Sequence, residues 1–344
     1  MAIAALLVVV LLVGWLGWLL ARPLPRWSAL AGILPAEAPS AGAEAAALIA
    51  AERRRHLVAL LVGGVAGVAC WWAQASNSRL VGLPVLIVPL VVWIGWAAVL
   101  SLPAARPPAV PDGGTRSADL TVRSARTFGP AWALPLPAFL ALLVAGGTAI
   151  AGMVSGTDET GRFRQLEYAS TAYQLDPTGT VVTEILAGQG SAGPFPGWYY
   201  GVPILGLLVL GCLAGLGAMS RIALRPRPAD TRLWPLDDAL RTLGAYVVTT
   251  GSAALLGIQL GVLGLMAAIP LRSASMTENL SIGEVWSGAA TPQGPLAALA
   301  LATAGGSVLL ILAGAVLGGL ALRGTAELVR WRRTARTAAS GDPS

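Results

Sequence analysis

The sequence predicts an all-α membrane protein: a seven-helix transmembrane bundle, N-terminus outside and C-terminus cytoplasmic, with a small β-hairpin in its long outer loop. Three observations carry that reading. Of 344 residues, 55% are hydrophobic and 12% charged, which leaves too little polar surface to cover a water-soluble globule of this length. Apolar runs recur at 2–20, 57–75, 80–102, 131–154, 199–219, 242–269 and 296–322, each near the length of about 20 residues that crosses roughly 30 Å of hydrocarbon. The arginines, finally, crowd into alternate connections.

That third observation sets the orientation, because cytoplasmic segments retain Lys and Arg while acidic residues matter little. The chain has no lysine, and its first, third and fifth connections and its tail hold 5, 4, 5 and 5 arginines. Only Arg79, Arg162, Arg164 and Arg272 fall on the other side. The same bias explains the net charge of +6 without an acidic partner or nucleic acid.

The first run resembles a secretory signal, but no positive charge precedes it, its apolar core is long, and Arg22 and Arg26 follow it; a retained helix is expected. Next comes a small-residue segment, Ala36 to Ala51, where Ser40 would cap a short helix leading into Glu52-Arg53-Arg54-Arg55-His56. Arg53, Arg54 and Arg55, with Arg332 and Arg333 of the tail 323–344, are expected to meet anionic lipid headgroups, each contributing roughly 1 kcal/mol near the surface. A tight Ser76-Asn77-Ser78-Arg79 turn separates the second and third spans, and the loop Pro103 to Pro130 is rich in turn residues.

The outer loop 155–196 contains the clearest β signal, Thr171 to Leu175 and Thr180 to Leu186 around Asp176-Pro177-Thr178-Gly179. Within it, Gly188-Gln189-Gly190-Ser191-Ala192-Gly193 fits G-x-G-x-x-G, but Pro194 and Pro196 follow in place of a helix, so a flexible connector is expected rather than a dinucleotide site. Pro270 is expected to stop the sixth span.

No charge lies well inside any of the seven runs, which disfavours a carboxylate proton relay or a voltage sensor. The polar residues of the sixth span, Tyr246, Thr249, Thr250, Ser252 and Gln259, read either as interhelical bonds or as the wall of a substrate path. Gly63/Gly67, Gly211/Gly215, Gly257/Gly261 and Gly314/Gly318 share the four-residue spacing that lets helices approach closely. The single histidine, His56, is expected to be solvated at a helix end, and Cys70 and Cys212 to be packed thiols. No catalytic constellation, metal site or cofactor motif is visible, and without lysine there is no Walker A loop. Asn279-Leu280-Ser281 matches a glycosylation triplet.

Two hairpins echo one another. Gly82, Pro84, Arg106 and Pro107 map onto Gly201, Pro203, Arg225 and Pro226 at an offset of 119, and Arg126, Thr127 and Gly129 onto Arg241, Thr242 and Gly244 at 115. A parallel duplication would give this, and so would arginine at every cytoplasmic exit with proline at helix stops.

The Arg-Pro exits, the Gly-rich spans, the absence of lysine and Leu236-Asp237-Asp238-Ala239-Leu240-Arg241 resemble multi-pass membrane proteins of high-GC actinobacteria. The resemblance implies a bacterial plasma membrane location and transfers no functional residue. The size of the bundle, the possible duplication and the polar sixth span point to a transport or permease-type component for a neutral or lipid-like substrate; the alternative is a non-transporting scaffold or sensor that meets a membrane or extracytoplasmic protein through its outer loop.

Overall fold

A computed structural model describes residues 39–103, 125–129, 133–176, 178, 182–228, 230–276, 278–282, 285–286 and 294–340. The first expected span, most of the 103–130 loop and residues 341–344 of the tail lie outside them.

The described chain is mostly helical. In order it forms α1 (Pro39–Ser76), α2 (Leu83–Leu86), α3 (Val88–Ser101), α4 (Ala125–Phe128), α5 (Leu136–Met153), β1 (Ser155–Thr157), β2 (Phe163–Leu175), β3 (Val182–Ala192), α6 (Trp198–Leu224), α7 (Trp234–Ala274), β4 (Glu278–Ile282), β5 (Val285–Trp286) and α8 (Gly294–Ser340). Five stretches are long and apolar enough to cross a membrane: Ala43–Ser76, Leu136–Met153, Trp198–Leu224, Thr231–Ala274 and Gly294–Trp331. The most enclosed is Thr231–Ala274, with 44% of its apolar window buried against 17–28% for the others.

The expected third span is divided. Gly82 takes a left-handed φ of 84°, which suits a residue without Cβ, and its N–H donates to Gln74 Oε1 at 2.9 Å. Pro84 and Pro89 then stand in the first turns of α2 and α3, and a break at Ile87 separates the two. The 14 residues of α3 rise about 21 Å at 1.5 Å each, less than the hydrocarbon thickness.

Packing divides the described residues into two compact units, one within Leu142–Gly206 and Gly257–Ala313, the other within 39–141, Leu207–Leu256 and 314–340. The first carries the sheet. Strands β2 and β3 pair antiparallel from Leu166↔Ala192 to Leu175↔Val182, a hairpin longer than the sequence signal. The Gly-rich segment 188–192 lies inside β3, not in a connector, and Gly190 sits where a Cβ would stand 2.6 Å from the Tyr168 ring. β1 pairs antiparallel with β2, β4 runs parallel to β2 from Thr171↔Glu278 to Leu175↔Ile282, and β5 folds back on β4. No strand was expected at 278–282 or 285–286, runs of 5 and 2 residues too short for a periodic signal to stand out. In the same unit Gly152 lies against Trp198, and Gly261 and Gly264 bring α7 onto Ser307 and Ile311 of α8.

In the second unit, tryptophans fill the space that glycines leave. A Cβ at Gly211 would stand 2.3 Å from the Trp93 ring, and one at Gly251 2.6 Å from Trp96. Gly63 and Gly67 admit Val92 of α3 against α1, Gly215 touches Trp93, and Gly318 lies 3.8 Å from Ala254 when given a Cβ. Gly257, in the first unit, and Gly314, in the second, are buried.

The outward faces are apolar. Leu61, Val65, Val68, Trp71 and Trp72 of α1 are 60–73% exposed, as are Leu142, Ile150, Val202 and Leu301 to similar degrees elsewhere. Soluble surfaces rarely carry apolar patches so extensive, and the helices are compatible with an integral membrane protein. Two helix limits differ from expectation. The short Ala-rich helix expected before Glu52 and the span expected from 57 are one continuous helix, α1, because no glycine or proline interrupts 44–62. α7 runs through Pro270 to Ala274, a proline that membrane helices tolerate when neighbouring groups satisfy the freed carbonyl.

Candidate functional site

The most concentrated polar chemistry is a buried chain of charges in the second unit. Three local features assemble it. α1 continues as helix through Glu52-Arg53-Arg54-Arg55-His56, which places Glu52 and His56 one turn apart. α6 ends at Leu224, and Arg225-Pro226-Arg227-Pro228 cannot extend it. The Asp230 side chain then accepts from Arg232 N at 2.8 Å to cap a single 3-10 turn, and α7 opens Trp234-Pro235 with Asp237 in its first turn. Proline and a carboxylate both suit a helix start.

Glu52 Oε2 accepts from Arg225 Nη1 at 3.0 Å, and Arg225 Nη2 donates to Asp237 Oδ1 at 2.5 Å. Asp237 Oδ2 accepts from Arg241 Nε at 2.7 Å. Arg241 also donates to the carbonyls of Ile222 and Ala223 at 3.0 Å and of Arg225 at 2.6 Å. Those oxygens are the ones a helix C-terminus leaves without N–H partners, so one guanidinium closes α6 while anchoring to α7. Its face covers Phe128, 5.5 Å from the ring centre. At the other end of the chain, Glu52 Oε1 lies 3.9 Å from Arg55 Nη1 and 3.5 Å from His56 Nε2. Glu52, His56, Asp237 and Arg241 are 1–5% exposed. Burial works to lower the Arg225 pKa, but the Glu52 and Asp237 carboxylates outweigh it and leave the guanidinium above its ordinary value. A peripheral pair, Arg227 with Asp238 at 3.0 Å, stacks its guanidinium on Trp234.

Each carboxylate oxygen of Glu52 and Asp237 thus faces a cationic or imidazole nitrogen. Such an arrangement fixes helix ends; it does not leave a carboxylate poised to take a proton. Among the described residues no three His, Cys, Asp or Glu side chains converge on a metal position, and Cys70 and Cys212 are half-buried free thiols.

By sequence alone Arg225 and Arg241 are topology markers and His56 is expected in solvent. His56 is instead 2% exposed, because α1 does not end there. One local signal pointed to the site: Asp237 and Arg241 stand at i and i+4, the spacing of a helical ion pair. Glu52, 173 residues from Arg225, gave none.

The polar residues expected on the sixth span are buried, Tyr246 at 3%, Thr249 at 4%, Thr250 at 1%, Ser252 at 3% and Gln259 at 0% exposure. Thr249 and Thr250 donate to the carbonyls of Ala245 and Tyr246 at 2.8 and 2.7 Å. Ser252 Oγ accepts from Trp93 Nε1 at 2.9 Å. These three lie in the second unit; Gln259 lies in the first, and among the described residues neither its amide oxygen nor its nitrogen has a partner. Arg55 donates to Leu102 O at 3.3 Å, while Arg53 and Arg54 turn elsewhere. Arg332 and Arg333 lie on α8, their side chains outside the described set. Neither a family model, nor a curated protein, nor a solved structure matches this chain.

Proposed function

We propose that the chain is a seven-span protein of a bacterial plasma membrane, N-terminus outside and C-terminus cytoplasmic, which acts as a non-transporting scaffold or sensor. The observation that carries this reading is β3: among the described residues its 11 residues pair with β2 on one side only. An edge strand of that length offers a row of backbone donors and acceptors to an incoming strand, and Ile185 on it is 63% exposed. The Thr249 and Thr250 hydroxyls are satisfied within their own helix and Ser252 bonds Trp93 of α3, which favours a dry, packed interior over a hydrated path. The arginine bias, nineteen against four, supports the orientation.

Photo-crosslinking from position 185 in intact cells tests the partner. A discrete protein adduct that disappears when β3 is capped by lysine substitutions at Thr183 and Ala187 supports it; adducts with lipid alone contradict it. Transport of a neutral or lipid-like substrate is the second reading, favoured by Gln259, whose buried amide is unsatisfied and would suit a polar group of a substrate. A small molecule retained by the purified wild type and lost in Q259L, by mass spectrometry, would move the assignment to transport.

A further inference from the structure

The fold splits the arginine triplet. Arg55 turns to Glu52 and to the carbonyl of Leu102. Arg53 and Arg54 instead line a groove of 430 Å³ together with Ala50, Leu57, Val58 and Leu61. These positions stand at i, i+3, i+4, i+7, i+8 and i+11, one face of the helix. Neither guanidinium has an ion pair within the described chain, and Arg53 Nε is buried without a partner. No carboxylate lines the groove. Two positive charges therefore stand at one end of an aliphatic stripe whose Leu57, Val58 and Leu61 are 41–66% exposed.

We propose that this groove holds one anionic phospholipid, its phosphate on Arg53 and Arg54 and an acyl chain along Leu57, Val58 and Leu61. Guanidinium pairs match phosphate oxygens in number and geometry, and neither Arg53 nor Arg54 meets a carboxylate among the described residues. A free phosphate would leave the stripe bare; from Arg54 to Leu61 it rises about 10 Å, room for much of one leaflet's chain. The inference rests on α1 being a membrane helix, as proposed above, and goes beyond that reading by assigning one lipid to two named side chains and excluding Arg55.

Native mass spectrometry of the full chain in detergent, titrated with phosphatidylglycerol or phosphatidylcholine, tests it. Wild type is expected to hold phosphatidylglycerol in preference. R54Q, at an exposed side chain, should weaken it about fivefold and R53Q/R54Q about twenty-five-fold, from roughly 1 kcal/mol for each arginine, whereas R232Q should leave it unchanged. Equal retention of both lipids, unchanged binding in R54Q and in the double variant, or full displacement by glycerol phosphate at equal concentration would overturn the proposal, the last by assigning the groove to a soluble anion. Topology mapping on the same variants distinguishes loss of the lipid from failure of the membrane reading.

Discussion

Arg241 joins more separate parts of the second unit than any neighbouring side chain: one carboxylate, three carbonyls and an aromatic face meet it. Breaking a buried pair from one side leaves the other charge uncompensated, at a cost of about 3–5 kcal/mol. D237N, which keeps the shape and removes the charge between Arg225 and Arg241, should lower the thermal midpoint of the purified protein accordingly. D238N should cost under about 1 kcal/mol, since its carboxylate is 43% exposed. Equal midpoints for the two variants would contradict the clamp. This site was barely legible in the sequence. Composition counts Arg225 and Arg241 among the inner arginines, and nothing local reveals that Glu52 lies beside them.

Five of the expected apolar cores appear as helices long enough to cross a membrane among the described residues, but helix ends were not legible. Hydropathy locates the apolar centre of a span, but it is blind to Ala-rich flanks that continue the helix, as in α1, and it overestimates proline as a stop, as at Pro270 of α7. The hairpin was seen where its β-branched residues cluster and missed where β3 turns to glycine. Close approach at these glycines is testable. G211A should destabilise by about 1–3 kcal/mol through overpacking, because its Cβ would meet Trp93, while G306A, with nothing within 4 Å, should be neutral or gain up to about 1 kcal/mol from helix propensity. Chemical unfolding of the two variants in the same detergent compares them.

The β1–β2 turn adds a pH dependence. Asp158 is held well below the usual carboxylate range, by the Thr160 hydroxyl first and then by the Arg162 N–H and the Arg164 guanidinium, against the effect of burial. Its folded pKa is depressed, so the stabilisation is complete above the unfolded value near about 4 and fades as pH falls below it. Hydrogen-exchange opening energies for 155–166 should stay level from about pH 7 to 5 and decline below about 4, and D158N should remove the decline.

Across the whole molecule, membrane class followed from composition alone, because a chain that is 55% hydrophobic has no other solvent to suit it. The internal arrangement did not follow, since lipid gives no hydrophobic reason for one helix to choose another; close packing and long-range ion pairs decide it. Orientation in the membrane decides which loops can meet an outer partner, and accessibility of single cysteines measures it directly. In a background lacking Cys70 and Cys212, E159C and R232C stand at exposed positions. A membrane-impermeant thiol reagent applied to intact cells should label E159C at once and R232C only after permeabilisation. Labelling of R232C in intact cells, or of both residues from the same side, would contradict the account.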